Sequence, residues 1–257
     1  MSAHHLFAFA ILAFQLPAQQ RPSAVEFEVA SIKPNKSNSN SSGIHNNDGS
    51  WRAENNTVKS LIVNAFDVLP EQITGAPAWI DSERFDIQAK YDKDPGLSGK
   101  DDRLQTQLRL RALLESRFEF KLHREIKEWQ AYVLVTGKKG PKLTPTTKTE
   151  GSSMRTSNGH MECGGVTMES LARSMGFRLG RPVVDETGLE GRFDFTLEFE
   201  PERAAGAVEK AAPIGGVDVA KPSLFTAVQD QLGLKLGSRK APVEMLVVDR
   251  VSRPSEN

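Results

Sequence analysis

The sequence predicts an α+β fold made of two tandem, duplicated α+β repeats, each with two helices and with mixed or antiparallel sheets. The first observation is Arg192–Glu200, in which every second residue from Phe193 is apolar, as in a strand with one buried face. The second is an earlier strand with the same Arg-Phe-Asp opening, Arg84–Ala89. The third is an order of helices and strands that recurs after about 110 residues.

The first repeat is predicted over residues 24–140. It opens with an alternating strand, Val25–Ile32, followed by a loop rich in Asn, Ser and Gly, Lys36–Ser50. A helix capped within Asn55–Thr57 then runs to Phe66, because its apolar residues share one stripe.

The rest of this repeat follows the Arg84–Ala89 strand. A second helix spans about Arg103–Arg117, with Asp101 or Asp102 as its cap. Two short strands are predicted to pair with each other at the end of the repeat, Phe118–His123 and Ala131–Thr136.

The second repeat is predicted over residues 154–253, after a connector at 141–153. Thr167 caps its first helix, whose apolar stripe lies 110 positions after that of the first repeat. The paired stripe positions are Val58 and Met168, Leu61 and Leu171, Ile62 and Ala172, and Ala65 and Met175. A mobile insertion, 201–222, is expected because the segment is rich in Ala, Gly and Pro. A helix from about Leu224 and two further strands follow, Leu232–Leu236 and Val243–Val251.

The overall charge bounds the possible partners. The 33 basic and 33 acidic residues cancel, so no global field attracts nucleic acid, and no nucleic-acid partner is expected. A single cysteine, Cys163, excludes a disulfide framework within the chain.

The N-terminus has the pattern of a signal peptide. The uncharged apolar run Leu6–Leu16 is shorter than the about 20 residues that a membrane-spanning helix needs. Ala18 supplies a small residue for cleavage, so residues 1–18 are predicted to be a signal peptide. The alternative is a core strand or helix at the start of a domain. Export predicts a periplasmic or secreted protein with no integral membrane segment after cleavage.

One acidic loop could carry chemistry. Asp185-Glu186-Thr187-Gly188 resembles the Asp-Thr-Gly loop of aspartic proteases, but Glu186 interrupts it, and no second loop supplies the paired carboxylate. A turn is the preferred interpretation, with Asp185 binding backbone amides and Gly188 at a positive φ.

Other candidate motifs are incomplete. His160 and Cys163 offer two metal ligands, whereas a zinc site needs three or four. The basic segment Gly137–Lys142 lacks the context of a phosphate-binding loop and is interpreted as a solvated connector. The sequence therefore predicts no catalytic, cofactor-binding or metal-binding residue and no cofactor.

Two further sets of residues admit a binding role. Arg and Asp of each Arg-Phe-Asp strand share the polar face, where a cross-strand ion pair is preferred over a ligand contact. Three tryptophans could line an apolar groove, although packing in the core is the usual role of this residue: Trp51, Trp79 and Trp129.

Several segments carry a family resemblance that spans essentially the whole mature chain. They are Phe27–Pro34, Arg181–Gly191, Gln231–Leu236, Lys240–Glu244 and Pro254–Asn257. They resemble a large paralogous family of soil acidobacteria that looks exported and has no established activity. Some relatives resemble fusions to membrane antirepressor-type sensor peptidases, which implies extracytoplasmic sensing, but no such membrane domain is predicted within these residues. The resemblance supplies no catalytic residues.

A weaker likeness concerns the helix followed by Gly233–Leu236 and a later apolar strand. This arrangement is similar to the small α+β domains at the N-termini of secretins and TonB-dependent receptors, which recognise protein partners.

Two functional hypotheses follow. The first is a periplasmic or secreted binding or interaction module without catalysis, with an envelope protein or an extracellular ligand as partner. The alternative is an extracytoplasmic hydrolase whose site is assembled between the two repeats from Asp185, Glu186 or His160. A deep pocket enclosing polar groups with shifted pKa values would favour the enzyme, and a shallow groove along a sheet edge the module.

Overall fold

The computed structural model describes residues 25–254 apart from 38, 40, 48, 94, 95, 97–99, 148–150 and 202–220. The predicted signal peptide, residues 1–18, and nearly all of the predicted insertion, 201–222, lie outside the described residues. Within the described ranges, no helix is both long enough and apolar enough to cross a membrane.

Runs of strands are interspersed with helices along the chain, which confirms the predicted α+β class. The first half, residues 25–140, contains β1 (Val29–Pro34), β2 (Gly43–Asn47), β3 (Ser50–Thr57), α1 (Val58–Phe66), a 3-10 turn (Pro70–Gln72), β4 (Ile73–Thr74), α2 (Trp79–Ser82), β5 (Arg84–Lys90), α3 (Lys100–Phe118) and β6 (Lys121–Thr136). The second half, residues 141–254, contains β7 (Thr144–Pro145), β8 (Ser153–Ser157), β9 (His160–Val166), α4 (Met168–Leu179), β10 (Val183–Asp185), β11 (Phe193–Glu198), α5 (Leu224–Leu232) and β12 (Leu234–Arg250).

The strands form three four-stranded sheets. The N-terminal sheet has the order β1-β5-β3-β2 and the C-terminal sheet the order β7-β11-β9-β8, and both are antiparallel. The central sheet, β10-β6-β12-β4, is mixed, because β6 and β12 run antiparallel while the short outer strands run parallel to their neighbours. The predicted sheet types are confirmed.

Helices α1 and α4 begin as the sequence predicts. Thr57 caps α1 by accepting a hydrogen bond from the Ser60 N–H at 3.1 Å, and Thr167 caps α4 in the same way from Ser170 at 3.2 Å. Both caps have φ −80° and ψ 156°. The predicted apolar stripes are buried on both helices.

The long strands correct the sequence interpretation. Phe118–His123 and Ala131–Thr136 are not a pair of strands, because one continuous strand, β6, runs from Lys121 to Thr136. Likewise, the two predicted C-terminal strands are one strand, β12. Each long strand pairs with the other instead of folding back on itself, and the exposed polar middle of β6, Glu125–Gln130, hid this continuity.

Three boundaries of the first half also differ. The predicted loop Lys36–Ser50 contains β2, an edge strand whose exposed polar residues show no apolar alternation. Strand β1 begins at Val29 instead of Val25. Asp101 and Asp102 lie within the first turn of α3, so neither is its cap.

The central sheet joins the two halves. Strand β4 of the first half pairs with β12 through Ile73 and Leu246, and β10 of the second half pairs with β6 through Val183 and Tyr132. Consequently the core of the first half includes Leu246 and Val248 from the second, and the core of the second half includes Leu134 from the first. Each hydrophobic core is thus completed by a strand of the other half.

Candidate functional site

The Arg-Phe-Asp segment of β5 binds the backbone ahead of helix α1. The Asp86 carboxylate accepts a hydrogen bond from the Asn55 N–H at 2.9 Å, and the Arg84 guanidinium donates to the Asn55 carbonyl at 2.9 Å. Asn55 has a left-handed backbone, with φ 55°, at a bulge in β3. Both charged side chains therefore bind the backbone of Asn55, whereas the sequence pattern predicted an ion pair involving Arg84 and Asp86.

The Arg-Phe-Asp segment of β11 makes the corresponding contacts ahead of α4. Asp194 accepts from the Gly165 N–H at 2.6 Å, and Arg192 donates to the Gly165 carbonyl at 2.8 Å. Gly165 also has a left-handed backbone, with φ 62°. These four charged residues therefore have a structural role that the side-chain pattern alone did not reveal.

The loop after β10 is the predicted turn. The Asp185 carboxylate accepts hydrogen bonds from the Thr187 N–H at 3.0 Å and from its hydroxyl at 2.8 Å, and Gly188 has φ 67°. Glu186 forms an ion pair with Arg239 on β12. This confirms the interpretation of the loop as a turn.

The two candidate metal ligands lie on opposite faces of β9. His160 is exposed and pairs with Glu198, whereas Cys163 is buried, and burial raises the pKa of its thiol to about 12. Among the described residues, no three His, Cys, Asp or Glu side chains are grouped so that they could hold a metal ion. The three residues of the alternative hydrolase site bind different partners. His160 binds Glu198, Asp185 binds Thr187, and Glu186 binds Arg239, so these contacts do not join the three residues into one site.

Carboxylates with lowered pKa values lie on the surface near the C-terminus. Hydrogen bonds from Ser252 and Arg250 lower the pKa of Glu119, and a hydrogen bond from Arg253 lowers that of Glu83. Glu119 is exposed and Glu83 is half-buried, and contact with solvent weakens both ion pairs. These ion pairs link the end of β12 and the residues after it to the first half.

A cleft of about 450 Å³ lies where the two halves meet, and we call it the junction cleft. Its walls come from the C-terminal end of α1, from α4, from β10 and from the middle of β12. The apolar surface of the cleft includes Phe66, Leu69, Phe177, Val183, Val184 and Val243. Its volume falls within the range of about 300–1,000 Å³ that is usual for ligand pockets.

Most charged side chains around the junction cleft are paired with one another, whereas Asp185 is bound by the Thr187 N–H and hydroxyl. Asp67, the left-handed C-cap of α1, binds Arg103 of α3 at 2.6 Å and Arg173 of α4 at 3.0 Å. Arg173 also binds Glu169 at 2.7 Å. A further pair on the central sheet joins Arg124 to Glu244. The cleft therefore combines an apolar surface with charges that, apart from Asp185, have oppositely charged partners within the protein.

A second cleft of about 350 Å³ adjoins the first and shares Asp67 and Phe177 with it. Phe177 is 43% exposed, although it is a large apolar residue. Trp51 lies against this second cleft, Trp129 lines a separate depression on the central sheet, and Trp79 packs under Arg253. The three tryptophans do not form one groove.

Sequence reasoning identified Asp185 but missed the other residues of the junction cleft. They come from a helix end, another helix and two strands that are distant in sequence. The sequence did contain one sign of the cleft, because Phe177 is a large apolar residue outside the predicted apolar stripe of α4. In the structure this side chain is exposed.

Comparison with known proteins places the chain in a family. No curated protein and no solved structure matches it. A family described as "Protein of unknown function (DUF3738)" matches residues 59–251, which extend from α1 to just past the end of β12. This match covers both halves, and the chain belongs to this family of proteins of unknown function.

Proposed function

We propose that this chain is an exported binding module without catalysis and that the junction cleft is its binding site. The observation that carries the proposal is the cleft itself, because both halves build it and its apolar surface is open to solvent at Phe177. An exposed aromatic residue in a concave site is a typical anchor for a partner.

The proposal includes a duplication of one α+β unit. Thr57 and Thr167 are equivalent caps that lie 110 positions apart, and the left-handed residues Asn55 and Gly165 have the same spacing. The orders of the two antiparallel sheets correspond strand for strand. Such agreement in local geometry and in strand order supports descent of both halves from one unit.

The charges around the cleft favour binding over catalysis. Asp67 holds two arginines, Glu169 holds Arg173, and Glu244 holds Arg124, so these carboxylates have cationic partners within the protein. The remaining carboxylate of the cleft, Asp185, is bound by the Thr187 N–H and hydroxyl, whereas a general base needs a carboxylate within reach of a substrate proton. The ligand that fits best is an apolar group of an envelope protein or of an extracellular molecule, seated against Phe177 and bordered by these polar pairs.

Two sequence features support export. The apolar run Leu6–Leu16 is followed by a small residue, Ala18, at a suitable distance. The resemblance to exported proteins of soil acidobacteria extends over the mature chain and favours a partner in the periplasm or outside the cell.

Capture of a partner from an envelope extract tests the binding role with a matched pair of variants. Phe177→Ala removes the exposed aromatic of the cleft, and Leu104→Ala removes a comparably exposed apolar residue, 47% accessible, from α3 outside it. We expect the wild type and Leu104→Ala to retain the same partner and Phe177→Ala to lose it, with all three proteins equally stable in thermal melts. Equal capture by both variants would contradict the assignment of the cleft.

A further inference from the structure

The chain passes from the first half to the second through one tight turn. After β6 ends at Thr136, the Gly137 N–H donates to the Gly233 carbonyl at 2.9 Å, and the Gly140 N–H donates to the Gly137 carbonyl at 3.0 Å. Lys138 and Lys139 are exposed at the tip of the turn. We call residues 137–141 the hinge turn.

The contacts that hold the halves together do not depend on this turn. Strands β6 and β12 pair along almost their whole length, from Leu234 opposite Thr136 to Arg250 opposite Lys121. Leu246 is completely buried in the core of the first half, and Leu134 is completely buried in that of the second. Each of these contacts would be equally well made if the second half came from another molecule.

We infer that a second copy of this chain is a partner and that two copies exchange their second halves by opening the hinge turn. In the exchanged dimer, β6 of each copy pairs with β12 of the other, and the pairing and packing between the halves are retained. Only the hydrogen bonds of the hinge turn itself are broken. Exchange of identical elements is a low-cost route to a dimer, and a short, constrained hinge favours it.

This inference does not depend on the function proposed above, but it would add to it. An exchanged dimer contains two junction clefts joined by two hinge segments. Two linked sites bind a repeated or surface-bound partner more tightly than one site does, because the second contact becomes intramolecular.

One glycine offers a way to destabilise the closed hinge turn. Gly233 has φ 67°, and a Cβ atom at this position would overlap the Gly140 carbonyl. Gly180 is a matched control, since it is also the left-handed C-cap of a helix, with φ 58°, and has nothing within 4 Å of the position of a Cβ atom. Both Gly233→Ala and Gly180→Ala place an alanine at a left-handed φ and so introduce the same kind of backbone strain. Only Gly233→Ala also introduces a steric clash with the hinge turn.

A pair of cysteines distinguishes the two forms. Ile126 lies directly opposite Glu244 in the antiparallel β6–β12 pair, and Ile126 is 67% exposed. Ile126→Cys with Glu244→Cys, in the full chain, forms a disulfide within one molecule in the monomer and between two molecules in the exchanged dimer. The native Cys163 is buried and its thiol pKa is raised to about 12, so it does not compete.

The double-cysteine chain is refolded at several protein concentrations, oxidised, and separated on a non-reducing gel. We expect the ratio of disulfide-linked dimer to monomer to rise about tenfold for each tenfold increase in monomer concentration while the dimer is minor. Gly233→Ala raises this ratio, and Gly180→Ala leaves it unchanged.

A second perturbation covers the case in which Gly233→Ala does not fold. Deletion of Lys138 and Lys139 shortens the hinge turn and raises the dimer ratio, whereas insertion of flexible residues there lowers it. Disulfides that stay within one molecule at every concentration and in every hinge variant would overturn the inference. Dimers seen by light scattering whose disulfides are all within one molecule would overturn it as well.

Discussion

Asp194 accepts a hydrogen bond from the backbone N–H of Gly165 across 2.6 Å, and this contact fixes the left-handed residue that leads into helix α4. The sequence pattern predicted Asp194 on a polar face with a solvated arginine as partner. In the structure Asp194 binds a partly buried amide, so it stabilises the fold.

Asp194→Ala is accordingly expected to destabilise the protein by about 1.5–3 kcal/mol, the range for a hydrogen bond to a charged group. A solvated ion pair would have been worth about 1 kcal/mol or less. Thr196→Ala is the control, because Thr196 is an exposed residue of the same strand, and its loss should stay within about 0.5 kcal/mol. Urea denaturation of both variants measures the difference, and equal midpoints would contradict a stabilising hydrogen bond between Asp194 and Gly165.

Phe193→Ala is expected to cost about 3–5 kcal/mol, since it removes a buried aromatic and leaves a cavity. Phe195 was predicted to be buried as well, but it is only half-buried, because the strand pairing shifts register between Phe193 and Phe195. Phe195→Ala should therefore cost clearly less than Phe193→Ala in the same urea experiment. The reverse order would show that the register of β11 is misassigned.

The contacts of Arg250 and Ser252 with Glu119 near the C-terminus are expected to depend on pH. Hydrogen bonds from Ser252 and Arg250 hold the pKa of Glu119 below its ordinary value of 4.5. A depressed carboxyl pKa contributes stability above the unfolded value and loses it as the pH falls through the folded value. The Ser252 N–H, which donates to the Phe118 carbonyl, should thus lose its protection from hydrogen exchange below about pH 4.5. In Glu119→Gln, the protection of the Ser252 N–H should show no such change with pH, because the titrating carboxyl is missing.

Export predicts a defined N-terminus. The chain recovered from the periplasm or the medium should begin at Gln19, because Ala18 is the small residue before the cleavage point. Mass spectrometry of the intact exported protein measures this directly. Recovery of a chain that begins at Met1, or of the protein from the cytoplasm alone, would contradict the prediction.

Local patterns predicted the elements whose determinants are close in sequence. Thr167 was predicted as the cap of α4, and the cap of α1 was placed within Asn55–Thr57, because a cap and an apolar stripe are close together in sequence. Strand β5 was found because Phe85, Ile87 and Ala89 alternate and are all buried. The α+β class followed from such elements.

Features that depend on pairing between the halves were not predicted. The middle of β6 is exposed on both faces around Ile126 and Trp129, so it carries no apolar period to show that the strand continues. The junction cleft brings Asp67 next to Arg173, which is 106 positions away, through the arrangement of the central sheet. No local pattern records either relationship.

Asp67 links the halves directly, and its substitution measures how strongly. Its side chain is 18% exposed, and its carboxylate binds Arg103 of the first half and Arg173 of the second. Asp67→Asn removes the charge while keeping a residue that tolerates the left-handed φ of 55°. We expect a loss of about 1 kcal/mol, since both arginines are largely exposed and solvent screens the pairs.

A double-mutant cycle separates the two pairs. Asp67→Asn is combined in turn with Arg103→Ala and with Arg173→Ala, and each coupling energy is measured from urea midpoints. We expect each coupling to be about 0.3–1 kcal/mol. The Arg173 coupling should depend on Glu169, which also holds the Arg173 guanidinium, so Glu169→Ala should change the Arg173 coupling and leave the Arg103 coupling unaltered. If the Arg173 coupling were zero while the Arg103 coupling remained, Asp67 would belong to the first half alone and would not link the two sides of the junction cleft.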